Sequence, residues 1–117
     1  MQVLVVDDEQ LVRWFLERAL KRLGYGVQTV SSIDEALKII ANKGVDLLFT
    51  DLRMPGGNGT SLIKKVRELP TNMKVVVCSA FITDEMIRDF NERGIFTLKK
   101  PFKLTELENI LKLVGVS

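Results

Sequence analysis

The sequence predicts an α/β domain in which a doubly wound, five-stranded parallel sheet carries helices on both faces. Three observations lead there. Short apolar runs of strand length alternate five times with stretches whose apolar residues recur at helical spacing. The connections between them are short, as βαβ units with right-handed crossovers require. The first run, Val3 to Val6, is apolar throughout rather than alternating, as expected of a strand buried on both faces.

Asp7-Asp8-Glu9 ends that first strand. A helix over about residues 10 to 22 follows, with Leu16, Ala19, Leu20 and Leu23 at i, i+3, i+4 and i+7 and Gly24 to stop it. Val27 to Val30 is the second strand. Ser32-Ile33-Asp34-Glu35 has the form of a capping box, and Ile33, Ala36, Leu37 and Ile40 make the stripe of the second helix. After Asn42-Lys43-Gly44, the run Val45 to Thr50 is a third strand that delivers Asp51 at its end. The Pro/Gly loop 52–59 leads to a third helix, Ser61 to Leu69, with Leu62, Ile63 and Val66 inward and Pro70 as its stop. Lys74 to Cys78 is the fourth strand. Thr83-Asp84-Glu85 opens the fourth helix with a capping hydroxyl and acids in the first turn, and Gly94 ends it. Ile95 to Leu98 is a short fifth strand. Thr105-Glu106-Leu107-Glu108 matches a second capping box, and Leu107, Ile110, Leu111 and Val114 form the last stripe.

Length and composition narrow the function classes. The 117 residues form one domain, 1–117, with 46% hydrophobic and 27% charged residues, an ordinary globular balance. A net charge of +2, without a basic run, argues against direct contact with nucleic acid or a membrane surface. The single cysteine excludes an intrachain disulfide and fits a reducing compartment. The chain has neither a signal-peptide pattern nor the run of about 18 apolar residues that a membrane span needs, so a cytoplasmic location is expected. With no histidine, the chain is not a phosphohistidine donor, a histidine acid/base enzyme or a His-ligated metal site.

In an open parallel sheet all strand exits share one edge, where such folds keep their chemistry. Asp7 and Asp8 leave strand one, Asp51 strand three, Ser79 strand four and Lys100 strand five. Three neighbouring carboxylates repel unless a cation sits among them, and without His or a Cys cluster Mg²⁺ suits the set better than zinc. Lys100 and the Ser79 hydroxyl then hold phosphoryl oxygens, with an Asp51 oxygen as in-line nucleophile. Each residue alone has a plainer reading. Asp8 caps the first helix, Ser79 starts a turn, and Lys100 is a solvated charge. Five competent residues on one edge outweigh those separate readings. Cys78 reads as inert core, and Trp14 and Phe15 as packing residues.

Val5-Val6-Asp7-Asp8-Glu9, Asp51-Leu52-Arg53-Met54-Pro55 with Gly59 following, Ser79-Ala80 and Lys100-Pro101-Phe102 together resemble the receiver domain of two-component response regulators over essentially the whole chain. The resemblance implies a flavodoxin-like sheet in order 2-1-3-4-5. It implies that Asp51 takes a phosphoryl group from the phosphohistidine of a sensor histidine kinase or phosphotransfer protein, making the chain a phosphorelay switch. Mg²⁺ would be bound by Asp8, Asp51 and the Arg53 main-chain carbonyl, with Asp7 helping through water. Ser79 and Lys100 would contact phosphoryl oxygens, and Lys100-Pro101 would be a cis peptide. Output would come from Ser79 swinging toward the phosphoryl group and a strand-five aromatic turning inward, remodelling the helix-four, strand-five, helix-five face to control an output domain or downstream protein. A homodimer formed on phosphorylation through the helix-four and helix-five face is compatible with this pattern. The switch position three before Lys100 is Thr97, where the family usually has an aromatic; Phe96 beside it should face the other way. The Ser79-to-Lys100 interval is also one residue shorter than usual. Arg53 and Phe81, two past Asp51 and two past Ser79, resemble positions that tune phosphoryl lifetime, and their bulk suggests slow self-dephosphorylation.

That makes the chain a signalling phosphoacceptor that assists its own phosphorylation and dephosphorylation rather than a turnover enzyme. The alternative is a receiver-like scaffold that binds partners without phosphorylation. An aspartyl-phosphate phosphatase of the haloacid dehalogenase type would want an acid at position 53, which is Arg. A flavin or dinucleotide site would want a third glycine after Gly24-Tyr25-Gly26 and a helix there instead of a strand.

Overall fold

The computed structural model describes residues 1–54, 57–69 and 71–115, and of 57 and 58 the backbone alone. Pro55 and Gly56 of the predicted loop, the expected helix stop Pro70, and Val116 and Ser117 lie outside the described residues. The elements are β1 (Gln2–Val6), α1 (Gln10–Arg22), β2 (Gly26–Val30), α2 (Ile33–Asn42), β3 (Leu47–Thr50), α3 (Gly59–Glu68), β4 (Lys74–Ser79), α4 (Asp84–Glu92), β5 (Phe96–Lys99) and α5 (Leu104–Val114). Arg53–Met54 and Gly57–Asn58 add a two-residue antiparallel ladder between β3 and α3. The main sheet is parallel throughout, in the order β2-β1-β3-β4-β5.

Each strand sends alternate side chains to opposite faces, and both faces are covered. Leu4, Val6, Leu48, Val75 and Val77 pack with Ala36 of α2, Leu62, Ile63 and Val66 of α3 and Phe90 of α4. Val3, Val5, Leu47, Phe49, Val76 and Cys78 pack with Leu16 and Leu20 of α1 and with Leu107, Ile110, Leu111 and Val114 of α5. Apolar burial on both sides of the central strands explains why their sequences are apolar without alternation. Among the described residues no helix is long and apolar enough to cross a membrane.

Helix ends follow their chemistry, with two corrections. Ser32 Oγ accepts from the Glu35 amide at 3.3 Å and Thr83 Oγ1 from the Met86 amide at 3.2 Å, as the capping signals predict. At α5, however, the box sits earlier than expected. Lys103 is the N-cap residue, and its amide donates to Glu106 Oε1 at 2.9 Å, so Thr105 lies inside the first turn. A lysine side chain cannot accept, so only this half of the box operates. Leu23 is exposed rather than part of the α1 stripe, because it is already the C-cap residue and has left the helical rotation. Trp14 is 55% exposed, on the flank away from Leu16 and Leu20, with the Arg18 guanidinium 4.9 Å from its ring centre. Phe15 does pack, edge-on against Phe102 at 5.7 Å.

Candidate functional site

Register decides what meets at the sheet edge. Val6 is level with Thr50, and Thr50 with Val77, so Asp7 and Asp51 leave the sheet side by side. β4 continues two residues further to Ser79, which pairs with Lys99 and so lies next to Lys100. The exits are then tied to one another. The Asp51 amide donates to the Val6 carbonyl at 3.2 Å, and the Lys100 amide to the Ser79 carbonyl at 3.0 Å. The Lys100-Pro101 peptide is cis.

The side chains of Asp7, Asp51, Ser79 and Lys100 are buried where polar groups seldom are. Lys100 Nζ lies 2.7 Å from Asp51 Oδ2, 2.7 Å from Asp7 Oδ2 and 2.8 Å from Glu9 Oε1. Asp51 Oδ1 accepts from the amides of Leu52 at 2.6 Å and Arg53 at 3.2 Å. Asp7 Oδ1 accepts from the Glu9 amide at 2.9 Å, and the Asp7 carbonyl from Arg13 Nη1 at 2.6 Å. Ser79 Oγ accepts from the Phe81 amide at 3.1 Å, which leaves its own proton available to donate.

Burial acts in opposite directions on the two charges at the centre. For Asp7, burial raises the carboxyl pKa more than the Lys100 hydrogen bond and the Glu9 amide lower it, so it sits above the ordinary aspartate value. For Lys100, burial alone would favour losing the proton. Hydrogen bonds to Asp51, Asp7 and Glu9 outweigh it and hold the ammonium above the usual lysine range. Burial likewise pushes the Cys78 thiol up, in keeping with an inert core cysteine.

Asp7, Asp8, Glu9 and Asp51 each offer a carboxylate oxygen within 4.8 Å of the others. Against these four acids stands the ammonium of Lys100 at the centre of the edge. Such an all-oxygen, strongly anionic group fits a hard divalent cation and would suit Mg²⁺. Asp8 is exposed and does not cap α1. The N-cap residue is Glu9, and the Asp7 carboxylate receives its amide. Glu9 is the residue missed by sequence reasoning. It stands third in the acidic run, and only the turn from β1 into α1 aims it back over the edge.

The outer positions are also placed. Thr97 is half-buried on the same face of β5 as Ile95, while Phe96 packs on the α1 and α5 side, the opposite orientation anticipated for it. The Arg53 guanidinium lies 4.2 Å from the centre of the Phe81 ring, joining the loop after β3 to the loop after β4. Ala80 and Pro101 line a groove beside the site together with Glu9, Lys100 and Phe102.

The sequence model of the response regulator receiver domain matches residues 3–112. The chain is 35% identical over 111 residues to the DNA-binding transcriptional regulator NtrC of Azospirillum brasilense, covering 94% of this chain but 23% of that protein. It is 28% identical over 112 residues to sporulation initiation phosphotransferase F of Bacillus subtilis, covering 95% of this chain and 90% of that one. Among solved structures it resembles a CheY-like response regulator receiver domain from Methylobacillus flagellatus, with TM-score 0.83, 32% identity, and coverage of 97% of this chain and 98% of that chain. It also resembles response regulator TrrA of Thermotoga maritima, solved in complex with Mg²⁺-BeF, with TM-score 0.82, 28% identity and 97% of each chain covered.

Proposed function

This chain belongs to the receiver domain family of two-component response regulators, and on that premise we propose that it is a phosphoryl-accepting switch with Asp51 as acceptor. The observation that carries the reading is the 2.7 Å contact between Lys100 Nζ and Asp51 Oδ2 at the floor of an acidic edge. Backbone amides hold Oδ1, so Oδ2 is the oxygen left to attack phosphorus. The new bond is Asp51 Oδ2–P. The bond that breaks joins phosphorus to the donor, a phosphohistidine nitrogen on a sensor kinase or phosphotransfer protein, which leaves with the electron pair. Lys100 and the Ser79 hydroxyl each bind one peripheral phosphoryl oxygen. Mg²⁺ would be held by Asp8, Asp51 and the Arg53 carbonyl, with Asp7 assisting through water, and would supply positive charge for the transferring group. The chain keeps its phosphoryl group as a signal, so it acts as a switch and not as a turnover enzyme.

The readout we propose is the α4, β5 and α5 face, presented to an output domain, a downstream protein or a second copy of the chain. Thr97 lacks an aromatic ring to rotate, so displacement of α4 would carry more of the change. The Arg53–Phe81 stack over the loops beside Asp51 favours slow access of water to the phosphoryl group. Intact-mass spectrometry after incubation with acetyl phosphate and Mg²⁺ tests the reading. The wild-type chain gains one phosphoryl mass and loses it over minutes or longer, and Asp51→Asn gains none. A wild-type mass that never changes would instead support a phosphorylation-independent scaffold.

A further inference from the structure

An ammonium group has three N–H donors; that of Lys100 hydrogen-bonds Asp51 Oδ2 and Glu9 Oε1 and is ion-paired with Asp7 Oδ2 at 2.7 Å. Three carboxylates thus crowd the ammonium, and a phosphoryl oxygen gains a close approach to it only as one of them gives way. The three partners are not equally held. The Asp7 side chain is 2% exposed and anchored through its other oxygen by the Glu9 amide. The Asp51 side chain is 9% exposed and anchored by two backbone amides. The Glu9 side chain is 58% exposed, so its carboxylate re-enters water by bond rotation alone, with no buried charge left behind. An exposed ion pair is also the weakest of the three to break.

From this asymmetry, and resting on the reading of Asp51 as phosphoacceptor, we propose that Glu9 is a releasable clamp on Lys100. While closed, it occupies one Lys100 donor and adds a negative charge at the mouth of the site. When it swings out, Lys100 keeps Asp7 and Asp51 as charged neighbours and offers the freed N–H to the substrate. Glu9 is in this sense a positioning residue, acting on the reaction through Lys100.

The test compares wild type, Glu9→Gln and Glu9→Ala. With acetyl phosphate at saturating Mg²⁺, the initial phosphorylation rate rises by about two- to tenfold in Glu9→Ala, the range expected for releasing one exposed charge-assisted contact. Glu9→Gln, which keeps an acceptor but loses the charge, falls between the two. Independently of any phosphorylation, NMR of the Lys100 ¹⁵Nζ ammonium without added divalent cation shows faster proton exchange in Glu9→Ala than in wild type. Thermal melts confirm that each variant is folded. Rates unchanged or reduced in both variants, or an exchange rate insensitive to position 9, overturn the clamp. If the wild-type chain takes up no phosphoryl group, the parent reading fails, and the ammonium exchange still decides whether Glu9 holds Lys100.

Discussion

Asp7 and Lys100 face each other at 2.7 Å, yet burial leaves Asp7 inclined to take a proton while Lys100 keeps its own. The consequences for stability have opposite signs. Asp7 has a folded pKa above its unfolded value, so its ionised form is destabilising above the folded pKa and is relieved as pH falls through it. Lys100, also raised, stabilises fully below the unfolded value of 10.5 and loses that contribution only in alkali, as pH climbs through the folded pKa. Asp7→Asn is thus expected to melt higher than wild type at neutral pH in the presence of a chelator. That advantage should shrink as pH is lowered through the folded pKa of Asp7. Adding Mg²⁺ should reverse the ranking, since ligand binding stabilises the native state and the wild type keeps the stronger site. A lower neutral-pH melting temperature for Asp7→Asn under chelation would show that pairing with Lys100, rather than burial, governs Asp7.

At the scale of elements, α3 begins at Gly59, two residues earlier than the apolar periodicity placed it. The Gly59 amide donates to the Leu52 carbonyl at 3.0 Å, and a Cβ built at Gly59 would lie 1.9 Å from the Asp51 carbonyl oxygen. The start of α3 therefore presses on the backbone of Asp51, and only glycine allows the approach. Gly59→Ala improves intrinsic helix propensity by about 1 kcal/mol, yet overpacking against an immovable carbonyl costs about 1–3 kcal/mol. The net expectation is a lower midpoint in urea together with slower phosphorylation from acetyl phosphate. A variant as stable and as reactive as wild type would show that this contact relaxes freely. α4 is held differently. Arg67 of α3 donates to the Arg93 carbonyl at its C-terminal end, beside Gly94 at φ +74°, so one side chain ties α4 to α3.

At the scale of the whole molecule, the sheet separates two apolar layers, and β3 lies at its centre, contributing to both. Leu48 enters the α2, α3 and α4 layer, while Phe49 enters the α1 and α5 layer. Leu48→Ala should lower stability by about 2–5 kcal/mol and Phe49→Ala by about 3–5 kcal/mol. Each variant should still unfold in one transition, because the strand that leads to Asp51 couples both layers. Trp14 fluorescence and far-ultraviolet circular dichroism should report the same midpoint. Separate midpoints would show that the layers unfold independently.

The alternation of short apolar runs with helical stripes determined the class, the element order and the residues that leave each strand. These are local properties: periodicity, β-branching, capping hydroxyls at Ser32 and Thr83, and glycines at helix ends are all written in neighbouring residues. The same locality explains why Asp7, Asp51, Ser79 and Lys100 were legible as an edge before any register was known. What only the tertiary structure decided depends on relations between distant segments. Glu9 curling back onto Lys100, Arg53 stacking on Phe81, Gly59 pressing on Asp51 and Trp14 turning to solvent have no local periodicity to betray them. They follow from strand register and from the angle at which each helix leaves the sheet, which residues far apart in the chain set together.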